Sequence, residues 1–270
     1  MKNIGKLLLA ITLIAGLMIP AFAESITIKG STTVYPIAQA TAEKFMDMYP
    51  EVRISVQGGG SGFGIAAIID GTTDIGDASR PIKDKEIKKA LNKGADPKAH
   101  VVALDGIAVV VNPSNSVSAL TKQQIKDIYT GKISNWSGAG GSGGQIVVIS
   151  RDSSSGTFET FNKLALDKEK VRPDALLQAS NQAVATTVAK TPGAIGYVGL
   201  GYLTSKVKGV DVNGVEPTKD TVRSGEYPLA RPLFMYTNGP AKGVVKKYLD
   251  FVTSSEGQRL AEKEGYVGLK

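Results

Sequence analysis

Residues 25–49 read SITIKGSTTVYPIAQATAEKFMDMY, and this stretch decides the predicted fold. Residues 25–28 are typical of a short β-strand. Residues 36–49 carry apolar side chains at helical spacing, and Pro36 suits the first turn of that helix. The connecting loop is Gly30-Ser31-Thr32-Thr33. Because capping a helix needs only one hydroxyl, three in a row indicate contact with a ligand, with ordinary capping as the alternative.

Two more loops rich in glycine and hydroxyls join a predicted strand to a predicted helix. They are Gly58-Gly59-Gly60-Ser61-Gly62 and Arg151-Asp152-Ser153-Ser154-Ser155-Gly156-Thr157, and a fourth piece is Ser79-Arg80-Pro81. A helix start offers free N–H groups and partial positive charge, and glycines let the backbone close around an oxyanion. An arginine guanidinium can donate hydrogen bonds to two oxygens at once. The loops together predict a pocket for a small tetrahedral anion.

The remaining segments continue the alternation of strands and helices. This order predicts an α/β fold with mostly parallel sheets. A nearly continuous apolar run at 101–112 predicts a buried strand, and Thr121 is the expected N-cap of a helix at 121–129. Residues 137–144, almost all Gly, Ser and Ala, predict a flexible surface loop. Trp136 and Tyr129 are expected to pack in a core.

The first 23 residues have the features of a secretory signal. Lys2 and Lys6 precede an apolar run at 7–19, and Ala21-Phe22-Ala23 is a small-x-small cleavage site. The alternative, a membrane anchor, is disfavoured because the run is too short to span a bilayer. The chain has no cysteine, which excludes disulfides and lipid attachment through a lipobox Cys. We therefore expect a cleaved, exported, periplasmic protein with no membrane anchor in its mature part.

Composition excludes several other classes. The formal net charge of +7 falls to +5 without Lys2 and Lys6, and no dense basic stripe interleaves with aromatics, so no nucleic-acid partner is expected. A P-loop ending in Gly-Lys-Ser/Thr does not occur. One histidine, His100, and no cysteine argue against a transition-metal site. No cofactor is expected.

Taken in order, the motifs resemble one family. The matching runs are Gly30-Ser-Thr-Thr-Val-Tyr-Pro-Ile, Gly58-Gly-Gly-Ser-Gly, Asp74-Ile-Gly-Asp-Ala-Ser-Arg, Arg151-Asp-Ser-Ser-Ser-Gly-Thr and Thr191-Pro-Gly-Ala-Ile-Gly-Tyr-Val. The chain resembles the phosphate-binding protein of the bacterial high-affinity phosphate ABC transporter. The resemblance covers nearly the whole mature chain, and its motifs are specific as an ordered set.

The resemblance implies a two-lobed periplasmic-binding-protein fold of type II, with two mixed, mostly parallel sheets flanked by helices. Lobe 1 would comprise 24–107 and 232–270, and lobe 2 would comprise 108–231. Phosphate would lie in the cleft, and the closed, monomeric protein would deliver it to an ABC permease. By motif position the implied phosphate-binding residues are Ser31, Thr32, Thr33, Ser61, Ser79, Arg80, Arg151, Ser155, Gly156 and Thr157.

One departure from the family pattern bears on selectivity. Ser79 and Arg80 stand where the best-studied members place an Asp, which resembles a proton acceptor for hydrogen phosphate. Discrimination against sulfate would then rest on Asp77 or Asp152, or would be looser. Two alternatives stay open: a binding protein for sulfate, molybdate or tungstate, and a secreted phosphatase with a loop serine as nucleophile. The single histidine counts against the phosphatase, because such a serine needs an activating base or metal.

Overall fold

The computed structural model describes residues 24–269, so the predicted signal segment at 1–23 lies outside the described residues. Within that range the strands are β1 Glu24–Gly30, β2 Val52–Gly58, β3 Ile75–Ala78, β4 Pro97–Val111, β5 Ala119–Leu120, β6 Val147–Arg151, β7 Leu176–Gln178, β8 Ala194–Gly199, β9 Lys208–Val212 and β10 Ala230–Asn238. The helices are α1 Tyr35–Met48, α2 Ser61–Ile69, α3 Asp84–Asn92, α4 Lys122–Thr130, α5 Gly156–Ala165, α6 Asn181–Lys190, α7 Lys219–Arg223, α8 Gly243–Val252 and α9 Ser255–Lys263.

Strands β1, β2 and β3 are parallel, with β1 in the middle. Gly30 at the end of β1 pairs with Gly58 on one side and with Asp77 on the other. The three strands therefore end at the same edge, where the loops that follow them lie side by side. Strand β10 runs antiparallel to β3 and completes this part of the sheet.

Strand β4 belongs to both halves of the molecule. Up to Gly106 it pairs antiparallel with β10, and from Ile107 it pairs antiparallel with β8 and β9. Strand β6 lies parallel between β8 and β7. The strands form the mixed path β2-β1-β3-β10-β4-β8-β6-β7, which is continuous because β4, at 15 residues, is long enough to serve both sides.

Hydrophobic packing divides near the same point of β4. A core on one side contains Ile28, Phe45, Val102 and Tyr248, and it packs α1, α8 and α9 on the first strands. The core on the other side includes Val109, Trp136, Phe161 and Tyr197. Each core is large enough to hold its own layer of helices on its own strands.

The ends of the helices follow local rules that the sequence shows. The Thr121 side chain accepts a hydrogen bond from the backbone N–H of Gln124 at 3.1 Å, so Thr121 is the N-cap of α4 as predicted. That helix ends at Gly131, whose φ of 89° is the left-handed conformation that glycine adopts without strain. None of the helices within 24–269 is long and apolar enough to cross a membrane.

The strand predicted at 25–28 and the helices predicted at 36–49 and 121–129 are present within two residues of those bounds, and all but the last residue of the apolar run at 101–112 lies in β4. The sequence missed β5, β7, β9 and α7, which are two to five residues long and too short to show a period. The loop predicted at 137–144 is less free than its composition indicated, because Trp136–Ala139 forms a 3₁₀ turn. Trp136 is buried, as predicted, and its indole N–H donates to the carbonyl of Gly193 at 3.0 Å.

Asp77, in the middle of β3, is a carboxyl group inside the first core. The residue is 1% exposed, and its Oδ1 has no hydrogen-bond partner within residues 24–269. Burial raises the pKa of Asp77 well above its ordinary value of 3.8. In the pH range between the ordinary and the raised pKa, the folded chain binds a proton that the unfolded chain releases. The free energy of unfolding therefore decreases as pH rises through this range.

We expect Asp77→Asn to remove this pH dependence. One such group lowers the free energy of unfolding by at most about 1.4 kcal/mol per pH unit. As pH rises, the free energy of unfolding of the variant should therefore increase relative to that of the wild type. Urea unfolding of both proteins at about pH 5 and about pH 8 measures the difference. Parallel pH profiles of the two proteins would show that Asp77 does not titrate in this range.

Candidate functional site

The three predicted loops meet at one buried place. The backbone N–H of Gly60 donates to the carbonyl of Gly30 at 2.9 Å, which joins the loops after β2 and β1. The N–H of Gly62 donates to the carbonyl of Ser154 at 2.9 Å, which joins them to the loop before α5. Thr32 is half-buried, and the other nine predicted site residues are buried: Ser31, Thr33, Ser61, Ser79, Arg80, Arg151, Ser155, Gly156 and Thr157.

Two pairs of hydroxyls lie at this meeting point. The Oγ1 atoms of Thr33 and Thr157 are 2.9 Å apart and share a hydrogen bond. The Oγ atoms of Ser61 and Ser79 are 3.2 Å apart, and Ser61 Oγ also accepts from the backbone N–H of Ser79 at 2.9 Å. The first pair connects the loop after β1 to the start of α5, so it bridges the two halves of the molecule.

The start of helix α5 provides unpaired backbone donors. Ser155 is its N-cap and accepts from the N–H of Phe158 at 3.1 Å. The N–H groups of Gly156 and Thr157 lie in the first turn, where a helix has no acceptor of its own to offer them. They carry the positive end of the helix dipole into the site, an arrangement that favours an anion.

Gly156 is held closely by the facing hydroxyls. A Cβ atom at this position would lie 2.3 Å from Ser61 Oγ and 2.8 Å from Ser79 Oγ. Both distances are far below van der Waals contact. Only a glycine lets the start of α5 approach Ser61 and Ser79 this closely. Glycine is therefore required at position 156 for steric reasons and not because of its backbone conformation.

The Arg151 guanidinium is buried at the end of β6 and is not neutralised. Its Nε donates to the carbonyl of Gln178 and one terminal nitrogen to that of Ala179, both at 2.9 Å. The other terminal nitrogen, NH1, is buried and has no partner among the described residues. Burial, and secondarily the charge of Arg231, lower the pKa of Arg151. Asp152, the neighbouring acid in sequence, forms no ion pair with Arg151.

Arg231 is a site residue that sequence reasoning missed. It lies on β10 directly opposite Asp105 on β4, and its Nε and NH2 donate to Asp105 Oδ2 at 2.9 and 2.8 Å. NH2 also donates to Thr157 Oγ1 at 3.0 Å and to Thr33 Oγ1 at 3.3 Å. Despite this guanidinium, burial raises the pKa of Asp105. Arg231 thus touches both halves of the molecule from the strands that connect them.

A signal for this pair was present in the sequence. Asp105 stands in the apolar run 101–112, and Arg231 stands in a second, largely apolar segment. Charged residues are almost never fully buried unless they are paired, so opposite charges in two buried strands predict a contact. The sequence analysis placed a lobe boundary between 231 and 232 and did not connect the two residues.

Asn181 is a second residue that was not predicted. Its amide nitrogen donates to Thr32 Oγ1 at 3.1 Å and to Thr33 Oγ1 at 3.0 Å, and its amide oxygen accepts from the N–H of Gly199. Tyr202 adds a hydrogen bond from its hydroxyl to the carbonyl of Thr32 at 2.7 Å. These contacts hold the first hydroxyl loop against the other half of the molecule.

The Arg80 guanidinium is directed to carboxylates. Its NH1 and NH2 donate to the two carboxylate oxygens of Glu86, each at 2.8 Å, and its Nε lies 3.0 Å from Glu159 Oε2. Burial lowers the pKa of Arg80, but the hydrogen bonds to Glu86 and the charge of Glu159 outweigh it and raise the pKa overall. The sequence predicted that Arg80 binds the anion, whereas in the structure its positive charge is paired with Glu86 and Glu159.

The two acids considered for sulfate discrimination either already accept hydrogen bonds from the protein or face away from the loops. Asp152 Oδ1 accepts from the N–H and the hydroxyl of Ser154 at 2.8 and 2.5 Å. Asp77 faces the first core, where its charge would act on Tyr248. Within residues 24–269, no three His, Cys, Asp or Glu side chains are grouped so as to hold a metal ion. The site therefore consists of hydroxyls, helix-start N–H groups and two arginines, which suits an anion.

Comparison with known proteins agrees with this geometry. Residues 20–256 match the PBP superfamily domain. The phosphate-binding protein PstS of Bacillus subtilis is 39% identical over 248 residues, which cover 90% of this chain and 80% of the relative. The chain belongs to the PstS family of this superfamily.

Solved structures give the same family. A putative phosphate ABC transporter substrate-binding protein from Clostridium perfringens, crystallised with bound phosphate, superposes with a TM-score of 0.86 at 35% identity, covering 92% of this chain and all of that one. An ABC-type phosphate transport receptor from Vibrio cholerae superposes with a TM-score of 0.74 at 33% identity, covering 90% and 99%. The predicted mixed α/β periplasmic-binding-protein fold is thereby confirmed.

We expect Gly156→Ala to weaken anion binding by about 100-fold, because the added methyl group collides with Ser61 and Ser79 and holds α5 away. The same collision costs some stability, so the thermal midpoint should fall by several degrees while the protein stays folded. Calorimetric titration measures the affinity, with Ser153→Ala, an exposed change in the same loop, as the control. Undiminished affinity in the Gly156 variant would contradict the tight approach of α5.

Proposed function

We propose that this chain binds inorganic phosphate between two closing lobes outside the cytoplasm and delivers it to an ABC-type permease. The observation that carries the proposal is the buried, unpartnered NH1 edge of Arg151. An isolated charge in a protein interior is costly unless it meets an opposite charge. A tetrahedral oxyanion at the start of α5 would supply that charge and accept from the free N–H groups of Gly156 and Thr157.

The proposed lobes divide close to the point on β4 where the packing changes from the first core to the second. Lobe 1 comprises residues 24–107 and 232–270, and lobe 2 comprises 108–231. The crossing segments are then the middle of β4 and the start of β10, where Gly106 pairs with Ala230. Two antiparallel strands of this kind can bend together as a hinge, so ligand contacts on both lobes would shift the protein toward its closed form.

The proposed ligand set revises the sequence prediction in two ways. Arg231 is added for its positive charge within the site, where its N–H groups donate to the hydroxyls of Thr33 and Thr157 as well as to Asp105 and the carbonyl of Ser79. Arg80 is removed, because its N–H groups are directed to Glu86 and Glu159. The proposed phosphate-binding residues are Ser31, Thr32, Thr33, Ser61, Ser79, Arg151, Ser155, Gly156, Thr157 and Arg231.

The charges of the proposed set suit a phosphate anion. Arg151 and Arg231 contribute two positive charges, and Asp105 cancels part of one of them. The remaining donors are neutral dipoles, which can surround a phosphate without a full counter-charge on the protein. Closing the lobes would exclude water and strengthen each of these hydrogen bonds.

Export and the permease partner are proposed from the signal-like N-terminus and from the relatives. The relatives named above are described as phosphate-binding or phosphate-transport proteins. A secreted phosphatase is the weaker reading. The Ser155 hydroxyl accepts a helix-cap bond, and His100 bonds Thr237 on β10, so neither forms a nucleophile with its base.

We expect Arg151→Met to weaken phosphate binding by about 10²–10³-fold, because it removes the buried charge that the anion pairs with. Calorimetry of the phosphate-stripped protein measures the loss. The matched control is Arg259→Met, which removes an exposed arginine from α9 and should leave affinity unchanged. Near-normal phosphate affinity in the folded Arg151 variant would count against the proposed site.

We expect Ser79→Asp to raise the ratio of phosphate to sulfate affinity, because a carboxylate can accept the proton of hydrogen phosphate and repels fully ionised sulfate. Ser79→Asn, of equal size and without the charge, is the control. Competition titrations with the two anions give both ratios. If the Asp and Asn variants discriminate equally, Ser79 does not face the ligand. Tight sulfate binding by the wild type would instead change the proposed cargo.

A further inference from the structure

The contacts of Arg80 differ in one respect from those of an ordinary surface arginine. Its side chain is only 5% exposed, and it lies between two carboxylates from different parts of the fold. Glu86 belongs to α3, a few residues further along the same proposed lobe. Glu159 belongs to α5, on the other lobe. The Nε–Oε2 contact of 3.0 Å lacks hydrogen-bond alignment, so it is an ion pair that crosses the cleft.

Lys83 reinforces the same crossing. Its ammonium lies 2.5 Å from Glu159 Oε2, the oxygen that Arg80 also approaches. Lys83 is 37% exposed and Glu159 only 19%, so the carboxylate is the better shielded partner. One acid on lobe 2 is therefore held by two cations on lobe 1. Glu86 fixes Arg80 for this task through two parallel hydrogen bonds.

The position of Glu159 gives this ion pair a consequence for binding. Glu159 stands in the first turn of α5, three residues after Gly156 and two after Thr157. A force that holds Glu159 against lobe 1 therefore holds the anion-binding end of the same helix in place. The helix is rigid over this distance, so the two ends of its first turn cannot move independently.

We propose that Arg80 and Glu159 are positioning residues that hold the start of α5 over the anion, and so set how slowly phosphate leaves. We call the Arg80–Glu159 contact, reinforced by Lys83, the cleft ion pair. This inference rests on the proposed function, because it assigns the role to phosphate binding. It also gives Arg80, selected from sequence as a ligand, a role in affinity without contact with the anion.

A purely electrostatic role for Glu159 predicts the opposite result. A carboxylate in the first turn of α5 lies close to the proposed phosphate and repels it. If repulsion were its main effect, neutralising Glu159 would tighten phosphate binding. If the cleft ion pair holds α5, the same change weakens binding and speeds release. The sign of one isosteric substitution therefore separates the two accounts.

The test is the rate of phosphate release, measured by stopped flow from the full-length mature protein. We expect Glu159→Gln to speed release about 10- to 100-fold with little change in the association rate. Arg80→Gln should speed release less, because Lys83 still holds Glu159. The double variant should be no faster than Glu159→Gln alone, because that single change already removes the contacts with both cations. Added salt should speed release from the wild type more than from Glu159→Gln.

The matched control is Glu256→Gln, which removes the same charge from an ion pair that lies wholly within α9. Its release rate should equal that of the wild type. Slower or unchanged release in Glu159→Gln, or additive effects of the Arg80 and Glu159 changes, would overturn the inference while leaving phosphate binding intact. Failure of the wild type to bind phosphate would instead overturn the proposed function.

A second measurement tests the cleft ion pair without any ligand. The chain has no cysteine, so dyes can be attached at Lys44→Cys on α1 and Gln123→Cys on α4, both exposed and on different lobes. Energy transfer in phosphate-free protein should show a smaller closed population in Glu159→Gln than in Glu256→Gln. Equal populations in the two variants would contradict the proposal whatever the anion is.

Discussion

Burial of the Arg151 guanidinium is the constraint on which the rest of the site depends. Taking such a charge out of water costs several kcal/mol, and the carbonyls of Gln178 and Ala179 satisfy only part of it. The nearby charge of Arg231 adds to the cost. The loops after β1 and β2 and the start of α5 add neutral donors around the same place. A site of this kind is preorganised to bind an anion.

The pairing register of β4 and β10 produces this arrangement. Asp105 and Arg231 stand opposite each other on β4 and β10, the two strands that link the proposed lobes. From there Arg231 reaches one hydroxyl on each side, Thr33 and Thr157. The anion site and the connection between the lobes therefore share a residue. Under the proposed function, this shared residue couples closure of the lobes to ligand contact directly, without a long-range pathway.

The sequence predicted the strand–loop–helix units, because each contains its own apolar period, cap and loop chemistry. It selected the buried hydroxyls and Arg151 for the same local reason. It missed Arg231 and Asn181, whose roles depend on partners 126 and 149 residues away in sequence. It also placed Arg80 with the anion, because the identity of a guanidinium's partner is decided by tertiary packing. Glu86 and Glu159 gave no local sign that they would meet it.

A crystal structure of the mature protein with phosphate would show whether the anion pairs with the buried Arg151 guanidinium. The account predicts a phosphate in the closed cleft, with one oxygen within about 3 Å of Arg151 NH1 and others at the N–H groups of Gly156 and Thr157. Arg80 should remain paired with Glu86 and Glu159, away from the anion. A phosphate bound elsewhere, or one that leaves Arg151 NH1 without a partner, would contradict the account.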